Sequence, residues 1–183
     1  MVYLFLADGC EEIEALTPVD LLRRVGIDVK TVGVGKKDIT SAHGIKISAD
    51  ITDSEADAQL EASAGFDMII LPGGMPGTLN LDASPTVDRF IDAALKRDSY
   101  IAAICAAPTI LGKRGLLRGK MATCYPGMES ELTGAEVYSS DVILDSNIIT
   151  ARGMGVATEF ALQLVECLKG EDEAEKLRSA VIA

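Results

Sequence analysis

Histidine, basic charge and long apolar runs are all scarce in this chain of 183 residues. Lys and Arg total 17 against 28 Asp and Glu, which gives a net charge of −11, and the basic residues are scattered. A nucleic-acid-binding surface needs a basic stripe, so that class of function is disfavoured. No apolar run approaches the ~20 residues that a membrane-spanning helix requires.

The N-terminal stretch 1–8 also lacks the basic start and the long apolar core of a signal peptide. We therefore expect it to form a first strand of a cytoplasmic protein that contacts neither a membrane nor nucleic acid.

The cysteines lack the spacing of a zinc site or of a disulfide framework. There are four of them, far apart in sequence, and none belongs to a Cys-x-x-Cys pair. The glycine spacings of phosphate-binding and dinucleotide-binding loops are missing as well. We therefore predict no metal and no cofactor, and we expect each cysteine to be either a core residue or a reactive thiol.

Apolar strands alternate with amphipathic helices along the chain. The strands are apolar throughout, which is typical of a parallel sheet covered by helices on both faces. This predicts a single α/β domain over residues 1–183. Strands are predicted at 2–6, 28–34, 67–72 and 100–105, hairpins at 36–53 and 142–151, helices at 13–25, 84–95, 108 onward, 156–170 and 171–181, and a connector with one helical turn at 53–65. Thr17-Pro18 either begins the helix at 13–25 or kinks a helix that begins earlier.

Cys105 ends an apolar stretch and has Ala103 and Ala107 two positions away on either side, with Pro108 just beyond. This order predicts a buried strand, a sharp turn and a helix. Such a turn directs its apex side chain out of the fold and points the next backbone N–H groups at a ligand. A helix N-terminus also favours thiolate over thiol. A packed core cysteine fits the same segment, so both interpretations stay open here.

Two further segments follow predicted strands, at the edge of a parallel sheet where ligands bind. The first holds Glu11, Glu12 and Glu14, one of which is predicted to lie beside the thiol as a buried, protonated acid. Acids at a helix start are also common for dipole reasons alone.

The second segment is the pair of glycines at 73 and 74. The N–H groups of Gly74 and Ala106 are candidates for an oxyanion hole, although most Gly-Gly pairs form plain turns.

Four ordered motifs, which together span nearly the whole chain, resemble the ThiJ/PfpI superfamily. Within it the chain looks closest to the subgroup of the Parkinson's-disease-linked cysteine protein. The resemblance implies a three-layer flavodoxin-like sandwich, related to class I glutamine amidotransferases, and a homodimer. The motifs are Asp8-Gly-Cys-Glu-Glu-Ile-Glu14, Leu71-Pro-Gly-Gly74, Ala102-Ala-Ile-Cys-Ala-Ala-Pro108 and Thr150-Ala-Arg-Gly153 with Glu159-Phe-Ala161.

The resemblance also assigns roles by position. Cys105 matches the reactive cysteine, Glu14 the protonated glutamate that hydrogen-bonds its sulfur, and Gly74 and Ala106 the oxyanion-hole donors. The chain departs from the family at Tyr125, which stands where the family has a histidine near the cysteine. A phenol can donate or relay a proton but is a poor general base at neutral pH.

His43 is the single histidine and lies on the predicted hairpin, which we expect to be far from the strand ends within one subunit. A Cys–His–acid triad is therefore not predicted. The resemblance places this hairpin, and the helix carrying Arg24, near the dimer interface and within reach of the partner's site.

Three functions compete for the predicted site. The favoured one is attack by Cys105 on a reactive carbonyl, either methylglyoxal or its adducts, with Glu14 as proton shuttle; this is a glyoxalase-like or deglycase-like activity. The alternative is a redox-responsive protective or chaperone protein of the oxidative stress response, in which an oxidant converts Cys105 to sulfinate. An amidase or peptidase is disfavoured because it most needs the missing histidine.

Overall fold

A central seven-stranded sheet organises the chain, and the computed structural model describes residues 1–62 and 65–183. The strands are β1 (Val2–Leu6), β2 (Val29–Gly33), β3 (Asp38–Thr40), β4 (Lys46–Ser48), β5 (Ile51–Thr52), β6 (Met68–Leu71), β7 (Tyr100–Ile104), β8 (Met121–Ala122), β9 (Glu136–Val137), β10 (Val142–Asp145) and β11 (Ile148–Ala151). The helices are α1 (Glu12–Arg24), α2 (Asp53–Ala62), α3 (Gly77–Asp82), α4 (Pro85–Arg97), α5 (Pro108–Lys113), α6 (Ala157–Lys169) and α7 (Glu171–Val181), with 3-10 turns at Glu129–Glu131 and Met154–Val156.

The strand order is β10-β11-β7-β6-β1-β2-β5, and every neighbouring pair is parallel except β10 with β11. Successive side chains of a strand point to opposite faces. On β1, Leu4 packs into one buried cluster with α1, α6 and α7, whereas Phe5 packs into another with α2, α4 and α5. The predicted three-layer α/β architecture is confirmed, and β1, β6, β7 and β11 all end at one edge of the sheet.

Most predicted elements are present with nearly the predicted limits. The helix at 84–95 begins as expected, because the Ser84 hydroxyl accepts a hydrogen bond from Val87 N at 3.3 Å and Pro85 occupies the first turn. The first helix starts at Glu12 and continues through Pro18, so the alternative start at Thr17 is wrong.

The connector predicted at 53–65 is instead the helix α2, in the part of that range that the structure describes. Its start is a capping box: Glu55 N donates to Thr52 Oγ1 at 3.3 Å, while Thr52 N donates to Glu55 Oε2 at 2.7 Å. The sequence interpretation missed this pair. Positions 63 and 64 lie outside the described residues.

The β3–β4 hairpin packs against the segment that follows β1. Gly9 N donates to Thr40 O at 2.8 Å, and Ala42 N donates to Cys10 O at 2.8 Å. The expectation that His43 lies far from this end of the sheet is therefore wrong. Long-range backbone pairing brings the hairpin there, and local periodicity carries no signal of it. Of the helices described, none is long and apolar enough to cross a bilayer.

Candidate active site around Cys105

Cys105 lies at a sharp turn between β7 and α5, with a φ of 65°, which is rare for a residue other than glycine. Its N–H donates to Ala151 O at 2.8 Å, which ties the turn to the end of β11. A Cβ on Gly73 would lie 2.7 Å from the Cβ of Cys105, so only glycine fits opposite the turn. The thiol is half-buried, and the strand–turn–helix predicted from the sequence is confirmed.

Glu14 is the acid that reaches this thiol. Its side chain is 1% exposed and points from the first turn of α1. Gly73 N donates to Glu14 Oε2 at 2.9 Å, and the Cys105 thiol and the Met154 N–H also approach the carboxyl group. Oε1 is buried and makes no well-formed hydrogen bond with the described residues, so this oxygen is available to the thiol or to a bound molecule.

Burial and mutual repulsion govern the protonation of this pair. Burial raises the pKa of Glu14 to about 7, against the effect of the hydrogen bonds from Cys105 and Gly73. Burial, followed by the charge of Glu14, raises the pKa of Cys105 to about 12. The first proton of the coupled pair is therefore lost near neutrality, and Glu14 is the more acidic of its two groups.

The sequence-based expectation of a lowered thiol pKa is wrong while Glu14 is ionised. The Ala106 and Gly74 N–H groups do lower the pKa of Cys105, but burial and the adjacent carboxylate outweigh them. A thiolate is consequently favoured only when the proton resides on Glu14.

Both predicted oxyanion-hole residues lie beside the sulfur, and the N–H groups of Gly74 and Ala106 lower the pKa of Cys105. Gly74 has a φ of 90°, and a Cβ there would lie 2.4 Å from Glu11 N. Glycine is thus required for the loop after β6 to pack against the start of α1. Two backbone donors that converge on one reactive atom form a ready site for a developing oxyanion.

Tyr125 borders the site as predicted, although its ring is 51% exposed. Its N–H donates to Cys105 O at 2.8 Å. A Cβ placed on Gly153 would lie 3.4 Å from Tyr125 Cδ2, 3.8 Å from Glu14 Oε1 and 3.9 Å from Cys105 Sγ.

Gly153 and Met154 therefore belong to the site, and the assignment of site residues from the sequence missed them. No local pattern showed this, because it depends on the parallel pairing of β11 with β7, which puts the last residue of β11 in register with Ile104. The loop after β11 must then emerge beside the loop after β7.

His43 lies at the same edge of the sheet but contacts acids rather than the thiol. Its Nδ1 is 2.9 Å from Glu12 Oε1 and 3.6 Å from Glu11 Oε2, and the hydrogen bond to Glu12 raises the pKa of His43. Within the described residues, no hydrogen bond joins His43 to Cys105, and no Cys–His–acid triad forms.

A cysteine at the turn between a parallel strand and a helix, with a buried glutamate beside it, is the arrangement that defines the class of α/β protein to which this fold belongs. The DJ-1/PfpI family model matches residues 1–167, and the chain belongs to that family, as the sequence motifs implied. It is 36% identical to Drosophila melanogaster protein dj-1beta over 182 residues, covering 98% of this chain and 95% of that protein.

Two further matches bear on function. The chain is 31% identical to the Caenorhabditis elegans glutathione-independent glyoxalase DJR-1.2, covering 93% of this chain and 89% of that protein. The structure of oxidized Toxoplasma gondii DJ-1 superposes with a TM-score of 0.92 at 31% identity, covering 99% of this chain and 97% of that one.

Proposed function

We propose that this chain converts reactive α-oxoaldehydes such as methylglyoxal to hydroxy acids, through attack by Cys105 with Glu14 as the proton shuttle. The supporting observation is the arrangement at the sulfur: one buried carboxyl group that titrates near neutrality and two backbone N–H groups surround one half-buried thiol. The similarity to a glyoxalase that does not use glutathione supports a reaction in which the protein supplies the thiol.

The first step forms a bond between Cys105 Sγ and the aldehyde carbon. The sulfur attacks as thiolate, with the proton on Glu14, and the carbonyl oxygen becomes an oxyanion that accepts hydrogen bonds from the Gly74 and Ala106 N–H groups. Glu14 then gives its proton to this oxygen, which leaves a hemithioacetal and a carboxylate.

The second step moves a hydrogen from the former aldehyde carbon to the neighbouring carbonyl carbon. The Glu14 carboxylate removes the proton from the hemithioacetal carbon to give an enediolate and returns it to the adjacent carbon, while the hydroxyl proton passes from the first oxygen to the second. The product is a thioester of lactate on Cys105. Water then cleaves the C–S bond, releases lactate and restores the thiol, so methylglyoxal and one water yield one lactate without an oxidant or a reductant.

Lactate formation by Cys105→Ala tests this proposal. The matched control is Cys167→Ala, because Cys167 is also a half-buried free thiol but lies on α6. We expect lactate production from methylglyoxal to be lost in the first variant and retained in the second, measured with a lactate dehydrogenase endpoint assay. Full lactate formation by Cys105→Ala would refute the proposal.

A redox-responsive role is the second candidate, favoured by the protonated acid beside the thiol and by the similarity to an oxidized DJ-1 structure. A sulfinate on Cys105 would accept a hydrogen bond from Glu14. Intact-mass analysis after mild peroxide treatment tests it, with an expected gain of about 32 Da on Cys105 alone. An unmodified Cys105 would eliminate this role, and an amidase or peptidase activity gains no support because no histidine contacts the sulfur.

A homodimer is the assembly we propose. Ile13 and Leu16 on α1 are 47% and 40% exposed, and Ile45 on the hairpin is 49% exposed, so apolar side chains cluster on this side of the chain. Light scattering during gel filtration should give twice the chain mass, and Leu16→Asp should shift it toward the monomer. A wild-type chain that elutes as a monomer would contradict this. The cytoplasmic location stays a prediction from the sequence.

A further inference from the structure

Glu11, Glu12 and His43 form a compact group of ligand-type side chains next to the thiol site and distinct from it. One ligand atom from each of the three residues lies within 4.8 Å of the others. His43 Nδ1 is 2.9 Å from Glu12 Oε1 and 3.6 Å from Glu11 Oε2. Bonds of about 2.0–2.2 Å from a metal ion to nitrogen and oxygen place neighbouring donors roughly 3 Å apart. The two distances from His43 Nδ1 are close to that value, so on the imidazole side a cation would need only small side-chain shifts.

Glu12 supplies a second observation at this cluster. The residue is 7% exposed, and its buried Oε2 atom makes no well-formed hydrogen bond with the described residues, although the Ser41 hydroxyl and the Glu12 N–H approach the carboxylate and lower its pKa. A buried carboxylate oxygen without a partner is costly. Among the described residues, His43 is the ion-pair partner of Glu11 and Glu12, and no lysine or arginine pairs with either acid.

The backbone holds the three residues together before any ligand arrives. The hairpin is fixed to the start of α1 by the hydrogen bond from Ala42 N to Cys10 O, and Glu11 N donates to Gly73 O at 2.9 Å. The His43 side chain is 66% exposed, whereas the Glu11 and Glu12 side chains are largely buried, so within one chain the cluster is open on the imidazole side. A site with a rigid base and one accessible ligand suits reversible binding.

The geometry points to a binding site for a divalent first-row transition-metal cation, formed by the Glu11 and Glu12 carboxylates and the His43 imidazole. Two oxygens and one imidazole nitrogen suit Mn²⁺ or Zn²⁺, with water completing the coordination shell. The cation would link His43 on the hairpin to Glu12 in the first turn of α1, and these two residues are 31 positions apart in sequence.

Mn²⁺ titration of the metal-free protein tests the site, because Mn²⁺ prefers oxygen and imidazole to the thiols of this chain. His43 is the single histidine, so its ring protons give unambiguous ¹H NMR signals. We expect Mn²⁺ well below one equivalent to broaden these signals, and EPR to count one tightly bound ion per chain.

His43→Ala and Glu11→Gln should each weaken Mn²⁺ binding roughly tenfold or more, since even the loss of an outer-shell partner costs that much. Glu12→Gln should do the same, and the two other variants keep the test valid if this buried substitution impairs folding. The matched control is Glu171→Gln, which removes an exposed carboxylate in the acidic first turn of α7 and should leave the affinity unchanged.

His43 signals that are not broadened by Mn²⁺ would overturn the inference. Equal Mn²⁺ affinity in all the variants would also overturn it, because the ion would then be attracted only by the net charge of −11. Because Mn²⁺ binding is measured without substrate, this result is independent of the proposed reaction at Cys105.

Discussion

Replacing Glu14 with glutamine should change how the stability of this protein depends on pH. Glu14 is 1% exposed, and burial raises its pKa from an ordinary value of 4.5 to about 7. Glutamine keeps the oxygen that accepts from Gly73 N, so the variant removes the ionisation and preserves the main hydrogen bond. The comparison therefore isolates the free energy of placing a negative charge at this buried position.

The sign follows from proton binding. Between pH 4.5 and about 7 the folded protein keeps a proton on Glu14 that the unfolded chain has lost, so the free energy of unfolding falls as the pH rises. A pKa rise of this size corresponds to about 3 kcal/mol of stability, present below the ordinary pKa and lost as the pH passes the folded-state value.

Urea unfolding of wild type and Glu14→Gln at half-unit steps from pH 4.5 to 8, with EDTA and a thiol reductant, measures the effect. We expect the variant to gain about 3 kcal/mol relative to wild type across this interval. A difference between the two proteins that does not change with pH would refute the reasoning. Cys105→Ser is the control for the location of the charge: it should retain the wild-type pH dependence if the carboxyl carries the charge, and lose it if the sulfur does.

Three further predictions follow from the same structure. Gly74→Ala should lower the free energy of unfolding by more than about 3 kcal/mol, because its Cβ would lie 2.4 Å from a backbone nitrogen. Gly35 has a similar φ but open space around it, so Gly35→Ala should lower the free energy of unfolding by only about 1 kcal/mol. Equal losses of stability in thermal unfolding would contradict this. Gly153 has an extended φ, so Gly153→Ala should change the free energy of unfolding by less than about 0.5 kcal/mol. Because the added methyl group faces the thiol site, kcat/KM should fall more for the larger phenylglyoxal than for methylglyoxal. Equal decreases for the two substrates would argue against the place of Gly153 at the site. Arg178→Gln removes a two-bond ion pair with Glu159, at 2.6 and 2.7 Å, and should cost about 1 kcal/mol at pH 7. Arg178 lowers the pKa of Glu159, so this loss of stability should shrink as the pH falls through that lowered pKa in urea unfolding, and a loss that does not change with falling pH would exclude the ion pair as its cause.

Local patterns were sufficient for most of the elements and for the turn that carries Cys105. Apolar runs and helical spacing predicted the strands and helices that carry the core, because each pattern depends on neighbours within a few residues. Small residues around Cys105 predicted the sharp turn, and its φ of 65° confirms it. Where a local signal was overlooked, as at the capping box of Thr52 and Glu55, a helix was mistaken for a connector.

The amino-acid sequence by itself determined the α/β class, the turn at Cys105 and the family. Only the tertiary structure decided which groups meet there: Gly153 beside the thiol, His43 against Glu11 and Glu12, and the raised pKa values of Cys105 and Glu14. These depend on strand order, on long-range backbone pairing and on the removal of water around buried groups. Such properties arise between segments that are distant in sequence, so no local pattern could contain them.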